Sequence, residues 1–285
     1  MREGQTRYLL GGSFRTLAHT EWGDRDAPPV VCVHGLTRSG RDFDALAQHL
    51  ARDFWVLCPD LPGRGRSDWL EDSALYQPIH YVTALAALLA VIGRRVGWVG
   101  TSLGGICGML VASMPGQPIT RMVLNDIGPH IPAGALARIR DYIGATPVFA
   151  DLAALEQHLR RVHAPFGRLS DAQWAHLATT SARAVPGGVA LHYDPAIAEQ
   201  VLDTPPGDVD LWPVWARISI PMLAIRGVDS DLLLPETLAE MAISGAQTLV
   251  VPNAGHAPAL MDAPTMVAVA AFLEPNLTKV GRLGL

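Results

Sequence analysis

The run Val96-Gly-Trp-Val-Gly-Thr-Ser-Leu-Gly-Gly105 carries a short apolar segment into a Gly-x-Ser-x-Gly turn, and an apolar helical pattern, Ile106 to Ala112, follows at once. Strand, tight turn, then helix is the context of a nucleophile elbow. Such a turn forces its serine, here Ser102, into an unfavourable backbone conformation, so the residues on both sides have to be small. Gly100 and Gly104 meet that need, and Gly105 adds room. The serine hydroxyl is then held clear of the strand, at the positive end of the following helix.

The pattern around this stretch repeats its rhythm. Upstream, Val30 to Val33 is a short apolar run ending at His34-Gly35, and Phe54 to Cys58 is another, ending at Pro59-Asp60. Downstream, Arg121 to Asn125 forms a third. Helical spacing fills the intervals, at Phe43–Leu50, 78–92 and 103–113. Buried strands alternating with helices predict a doubly wound, mostly parallel sheet. Two further strands, Tyr8–Leu10 and Arg15–Glu21, read as a hairpin through Gly11-Gly12. After about His130 the rhythm stops. Up to Pro213 no buried strand is evident, and the segment reads as helices (138–143, 151–162, 170–183, 195–202) broken by prolines and glycines. We read 130–213 as a helical lid inserted between core segments 1–129 and 214–285. Strands resume at Ile220–Arg226 and Thr248–Val251, and a last helix runs to Leu273, with Asp262 placed to cap it. The tail from Pro275 is expected to be loose.

Composition narrows the classes. With 49% hydrophobic and 17% charged residues, the 285-residue chain can bury a large core. A net charge of −5 argues against a nucleic-acid partner. Cys32, Cys58 and Cys107 stand in apolar contexts and read as buried free thiols. The N-terminus leads into no signal-peptide core, and the longest apolar run, Val82 to Ile92, is too short for a membrane span. A cytoplasmic protein is expected. No pattern speaks to oligomeric state.

A serine hydroxyl needs a base within hydrogen-bond reach, and the base needs a third group to fix its tautomer. His256 follows the last strand in Leu249-Val-Val-Pro-Asn-Ala-Gly-His and is the candidate base. Three aspartates follow late strands and compete for the third role: Asp231, Asp229 and Asp126. Asp231 is favoured because Ser-Asp-Leu-Leu-Leu returns at once to apolar chain, with Asp229 and Asp126 as alternatives. Two backbone N–H groups are needed for the oxyanion; Leu103, next after the serine, and Leu36, in the loop after Val30–Val33, are the candidates. His34 is expected to brace that loop. Arg38 and Ser39 are candidates for its mouth.

Together these residues resemble the α/β-hydrolase-fold enzymes of the lidded esterase and lipase-like group. The resemblance rests on His34-Gly35, Asp60-x-Pro-Gly-x-Gly-x-Ser67, Gly100-x-Ser-x-Gly104, Arg226-Gly-x-x-Ser-Asp231 and Gly255-His256, spread over roughly 30–126 and 218–273. It implies that the Asp60 loop is structural. It leaves the acid open, since relatives place it after either of two strands. Relatives that open epoxides or remove halides carry aspartate at the elbow, so serine there implies acyl transfer to water. Neither a cofactor nor a metal is implied: there is no His-Glu-x-x-His, and His158 and His163 are offset on their helix.

The expected substrate is a small to medium hydrophobic ester, with His34, Gly35, Phe149, Phe166, Trp174 and Tyr193 as candidate pocket residues, Trp212 and Trp215 as further lid aromatics, and the reservation that most aromatics there serve equally to bury the lid. Carbon–carbon bond hydrolase, lactonase and thioesterase chemistry use the same triad, and a non-catalytic ligand receptor is the alternative of another class.

Overall fold

The computed structural model describes residues 1–144, 147–203 and 207–274. The N-terminal hairpin is longer than its sequence pattern: β1 (Arg2–Leu10) pairs antiparallel with β2 (Ser13–Trp22). Next come β3 (Pro29–Val33), α1 (Asp44–Leu50), β4 (Trp55–Pro59), α2 (Pro78–Ile92), β5 (Val96–Thr101), α3 (Leu103–Ala112) and β6 (Ile119–Asn125). Further along the chain, β11 (Met222–Gly227), α9 (Pro235–Ile243), β12 (Gln247–Val251) and α10 (Ala263–Leu273) complete the sheet and its flanking helices. The eight strands form one sheet in the order β1-β2-β4-β3-β5-β6-β11-β12, parallel from β4 to β12. Only β1 and β2 run against their neighbours.

The alternation of buried residues explains why both faces are covered. Val31 and Val33 of β3 pack with Leu57, Trp98, Leu124 and α2 on one face, while Val30 and Cys32 pack with Val56, Cys58, Val99 and Ile225 on the other. All three cysteines are buried and unpaired. Helix α10 starts where the sequence placed it: the Asp262 side chain accepts from the Thr265 N–H at 2.9 Å. The tail from Pro275 lies outside the described residues.

The segment between β6 and β11 contains β7 (His130–Ile131), α4 (Ala133–Tyr142), α5 (Leu152–Val162), α6 (Asp171–Ser181), β8 (Ala182–Val185), β9 (Gly188–Leu191), α7 (Ile197–Asp203), β10 (Val209–Asp210) and α8 (Trp212–Trp215). It is therefore not purely helical. The expected helix over 170–183 ends at Ser181, and the chain turns through Pro186-Gly187 into the β8–β9 hairpin. Pro-Gly between two short runs is a hairpin signal that the helical pattern of 170–181 masked. No described helix is long and apolar enough to cross a membrane.

Candidate active site

The elbow has the strain its sequence demands. Ser102 sits between β5 and α3 with φ 49° and ψ −112°, its N–H donating to the Asn125 carbonyl at 3.0 Å. A Cβ on Gly104 would lie 2.0 Å from the Val33 carbonyl oxygen, and one on Gly100 would lie 2.4 Å from the Gly104 oxygen. Both glycines are therefore required by close backbone approach. Trp98 locks the turn from below, its indole N–H donating to the Gly104 carbonyl at 3.1 Å.

The histidine and its carboxylate meet across the ends of three strands. His256 Nδ1 lies 2.8 Å from Asp126 Oδ2. A carboxylate only accepts, so Nδ1 carries a proton, and in the neutral ring Nε2 is the nitrogen that bears the lone pair. Asp126 is fully buried, and its oxygens also accept from the Gly227 N–H (3.0 Å), the Ser230 hydroxyl (2.6 Å) and the Ala257 N–H (3.2 Å). Ser102, Asp126 (φ 54°) and Ala257 (φ 64°) all hold left-handed backbone at this cluster.

The favoured aspartate stands elsewhere. Asp231 is exposed and makes a two-point ion pair with Arg138 of α4, at 2.6 and 2.9 Å. Burial would raise its carboxyl, but Arg138 outweighs that and holds it below the usual range. Asp229 is exposed too. The apolar run after Asp231 does anchor the loop, but it anchors the residue before it. Arg226 donates to the carbonyls of Leu233, Val228 and Ser230, which turns Ser230 inward and leaves Asp231 outside. Ser230 is thus a site residue that the sequence reading passed over. The signal was its place between two aspartates in Arg226-Gly-x-x-Ser-Asp231.

The loop after β3 is held by two buried side chains. His34 Nε2 accepts from the Leu61 N–H at 2.8 Å, so Nδ1 bears the proton and donates to the Gly35 carbonyl at 2.7 Å. Burial pushes its pKa down to about 3, so it is neutral and braces the loop. Arg64 donates from Nε to the Leu36 carbonyl at 2.8 Å and from Nη1 to the Pro62 carbonyl at 2.7 Å. Leu103 opens α3, where the first N–H groups have no intrahelical acceptor. The Asp60 loop is structural: its carboxylate accepts from the Gly40 and Arg66 N–H groups, and Ser67 bridges the Asp60 carbonyl and the Ala18 N–H.

Ser102 stands between two cavities. One, of about 390 Å³, is walled by Leu36, Leu103, Ile106, Ile127, Ile139 and Val201, with Gln77, Gln200 and Arg140 also on its lining. The other, of about 60 Å³, is shared by Ser102 and His256 with Arg38, Arg138, His163 and Phe166. Of the expected pocket residues, Gly35 and Phe166 line the smaller cavity, and His34 lines a minor one beside it. Three others are elsewhere. Trp174 is buried among Leu155, Leu159 and Leu177. Phe149 packs on the His158 ring and pairs by backbone with Val189. Tyr193 is buried in the main core, bridged to Arg64. These aromatics pack within the segment between β6 and β11 or against the core, and aliphatic residues of α3, α4 and the loop after β6 wall the larger cavity.

Residues 30–271 match the model of the alpha/beta hydrolase family. The chain is 39% identical over 282 residues, 94% of its own length and 96% of the relative's, to a 3-hydroxybutyrate-oligomer hydrolase of Cupriavidus necator. Among solved structures it is similar to an alpha/beta hydrolase from Novosphingobium aromaticivorans DSM 12444 (36% identity, TM-score 0.85, covering 95% of this chain and 98% of that one). It is also similar to a protein from Rickettsia typhi (30% identity, TM-score 0.89, covering 96% and 99%). With the parallel sheet, the serine elbow and a match across most of its length, the chain is a hydrolase of the alpha/beta hydrolase family.

Proposed function

We propose that the protein is a serine carboxylesterase that cleaves short oligoesters of small hydroxy acids, such as 3-hydroxybutyrate, through an acyl-enzyme. The observation that carries this is the arrangement around one small cavity: strained Ser102 and His256 share its lining, and buried Asp126 holds the His256 ring from behind at 2.8 Å. Ser102 Oγ attacks the ester carbonyl as His256 Nε2 takes its proton. Asp126 holds the Nδ1–H tautomer and stabilises the imidazolium. The Leu36 and Leu103 N–H groups receive the developing oxyanion. When the ester C–O bond breaks, His256 returns the proton to the leaving alcohol. Water then repeats the sequence on the acyl carbon, with its proton passing through His256 back to Ser102. The segment between β6 and β11 acts as the lid, since its residues Ile139 and Val201 close the larger cavity.

The oligoester substrate is supported by the name of the Cupriavidus necator relative, which spans nearly the whole chain, and by the mostly apolar wall of the larger cavity. A fluorophosphonate probe tests the nucleophile, and release of acid from the linear 3-hydroxybutyrate dimer tests the substrate. Wild type is expected to label and to release monomer, and Ser102→Ala to do neither. Labelling of Ser102→Ala at the wild-type rate would remove the serine from the reading.

A further inference from the structure

The two cavities meeting at Ser102 assign the two halves of the substrate. The proton that completes ester cleavage goes to the leaving oxygen, and His256 is the group that returns it. The leaving alcohol therefore occupies the cavity that His256 lines. That cavity is the smaller one, of about 60 Å³. The cavity of about 390 Å³ is lined by Ser102, Leu36 and Leu103 but not by His256, so it takes the acyl chain. The acyl side is large and mostly apolar, and the alcohol side has room for one small unit.

The small cavity also has a charge that fits one kind of alcohol. Its lining carries Arg38, Asp42 and Arg138. Arg38 is buried and its guanidinium is held by Asp42 at 2.8 and 2.7 Å, so those two charges cancel in place. Arg138 is different. Asp231, which it meets through two hydrogen bonds, does not line the cavity, and both members of that pair stand partly in solvent. His163, beside it, is kept neutral by burial and by Arg38. A ligand carboxylate in this cavity competes with Asp231 for the planar fork of Arg138.

Resting on the oligoester reading above, we propose that the enzyme works from the carboxyl end of its substrate. It removes one hydroxy-acid unit per cycle, with the free carboxylate of that unit taken by Arg138. In each cycle the Ser102 Oγ–acyl bond forms, the last ester C–O bond breaks, and the proton from His256 converts the leaving oxygen to the hydroxyl of a free hydroxy acid. The shortened oligomer stays as the acyl group until water releases it.

The experiment uses a linear 3-hydroxybutyrate trimer whose carboxyl-terminal unit is deuterated, with early products read by mass spectrometry. Labelled monomer and unlabelled dimer are expected first. In parallel, kcat/KM is compared for the free-acid trimer and its methyl ester. Wild type is expected to prefer the free acid by about tenfold or more, the range of one charge-assisted contact. The preference is expected to fall to near one in Arg138→Gln and to recover in part in Arg138→Lys. Unlabelled monomer first, or an Arg138→Gln enzyme that keeps the full preference, overturns the proposal. Failure to turn over either trimer or p-nitrophenyl butyrate overturns the ester-hydrolase reading beneath it, and so the two failures are told apart.

Discussion

Replacing Asp126 by asparagine isolates what its charge does. Four donors face this carboxylate: the Gly227 N–H at Oδ1, and Ser230 Oγ, His256 Nδ1 and the Ala257 N–H at Oδ2. An asparagine amide has one oxygen, and three of the donors converge on the Oδ2 position. The amide therefore settles with its oxygen there and its NH2 against the Gly227 N–H. His256 keeps its Nδ1–H tautomer, and only the negative charge is lost to catalysis. An imidazolium and a carboxylate with charge centres about 4 Å apart interact by about 4 kcal/mol at an effective dielectric of about 20. Removing that from the transition state slows acylation on the order of 1000-fold. The donor facing Gly227 adds a stability cost of about 1–3 kcal/mol. Steady-state hydrolysis of p-nitrophenyl butyrate, with urea unfolding as the fold control, measures both. A folded Asp126→Asn enzyme that loses less than about tenfold in kcat, or an Asp231→Asn enzyme that loses more than Asp126→Asn, would refute this assignment of the acid.

Ser230→Ala removes one donor to Asp126 and unhooks the Leu232 and Leu233 N–H groups; kcat is expected to fall about tenfold, for the loss of about 1.4 kcal/mol of a charge-assisted bond, with the same ester assay as the check. Gly104→Ala puts a Cβ into the Val33 carbonyl; it is expected to lower stability by about 3 kcal/mol or more, read as a shift in the urea midpoint. The third concerns acid. His34 has its pKa lowered by burial from 6.5 to about 3, so the folded state excludes a proton that the unfolded chain accepts, and the stability this contributes is full above 6.5 and lost as pH falls toward 3. Between pH 7.5 and 4.5 that is about 3 kcal/mol; a His34→Gln protein is expected to show a shallower loss by that amount over the same range, and an unchanged slope would show that His34 is not the group responsible.

The parallel core was legible because each of its strands is a short apolar run closed by a punctuating residue: His34-Gly35, Pro59-Asp60, the elbow, Asn125. Which carboxylate meets His256 was not legible, for a reason of topology. β6 and β11 are neighbours in the sheet, and Asn125 lies opposite Ile225. Asp126 and the loop over 228–233 therefore emerge side by side at the carboxyl ends of neighbouring strands, where sequence alone does not say which carboxylate turns inward. Burial separates them, and burial depends on Arg226 pulling three carbonyls of the loop together. No periodicity encodes that. The pocket was harder still. Aromatic content pointed to Trp174 and Tyr193, yet large rings are also what a short segment uses to bury itself, and both are buried. The larger cavity is left to isoleucines of α3, α4 and the loop after β6.

Two histidines close to Ser102 end up with different work, and the neighbouring backbone decides which. Each has one ring nitrogen committed to donating from Nδ1. For His34 the other nitrogen accepts from the Leu61 N–H, so both are spent and nothing remains to take a proton. For His256 Nδ1 is held by Asp126, and the ring lines the cavity that holds Ser102, which leaves Nε2 for the proposed base. His34 still acts on the reaction, but through a peptide. The carbonyl it grips belongs to the Gly35–Leu36 peptide, whose N–H is the proposed second oxyanion donor. Holding the carbonyl fixes where that N–H points, and hydrogen bonding at the oxygen strengthens the donor at the other end. Arg64 holds the next carbonyl, that of Leu36, in the same way. Acid that protonates His34 would thus disturb the oxyanion site and the fold together, whereas a change at Asp126 would spare the oxyanion loop and strike the base alone.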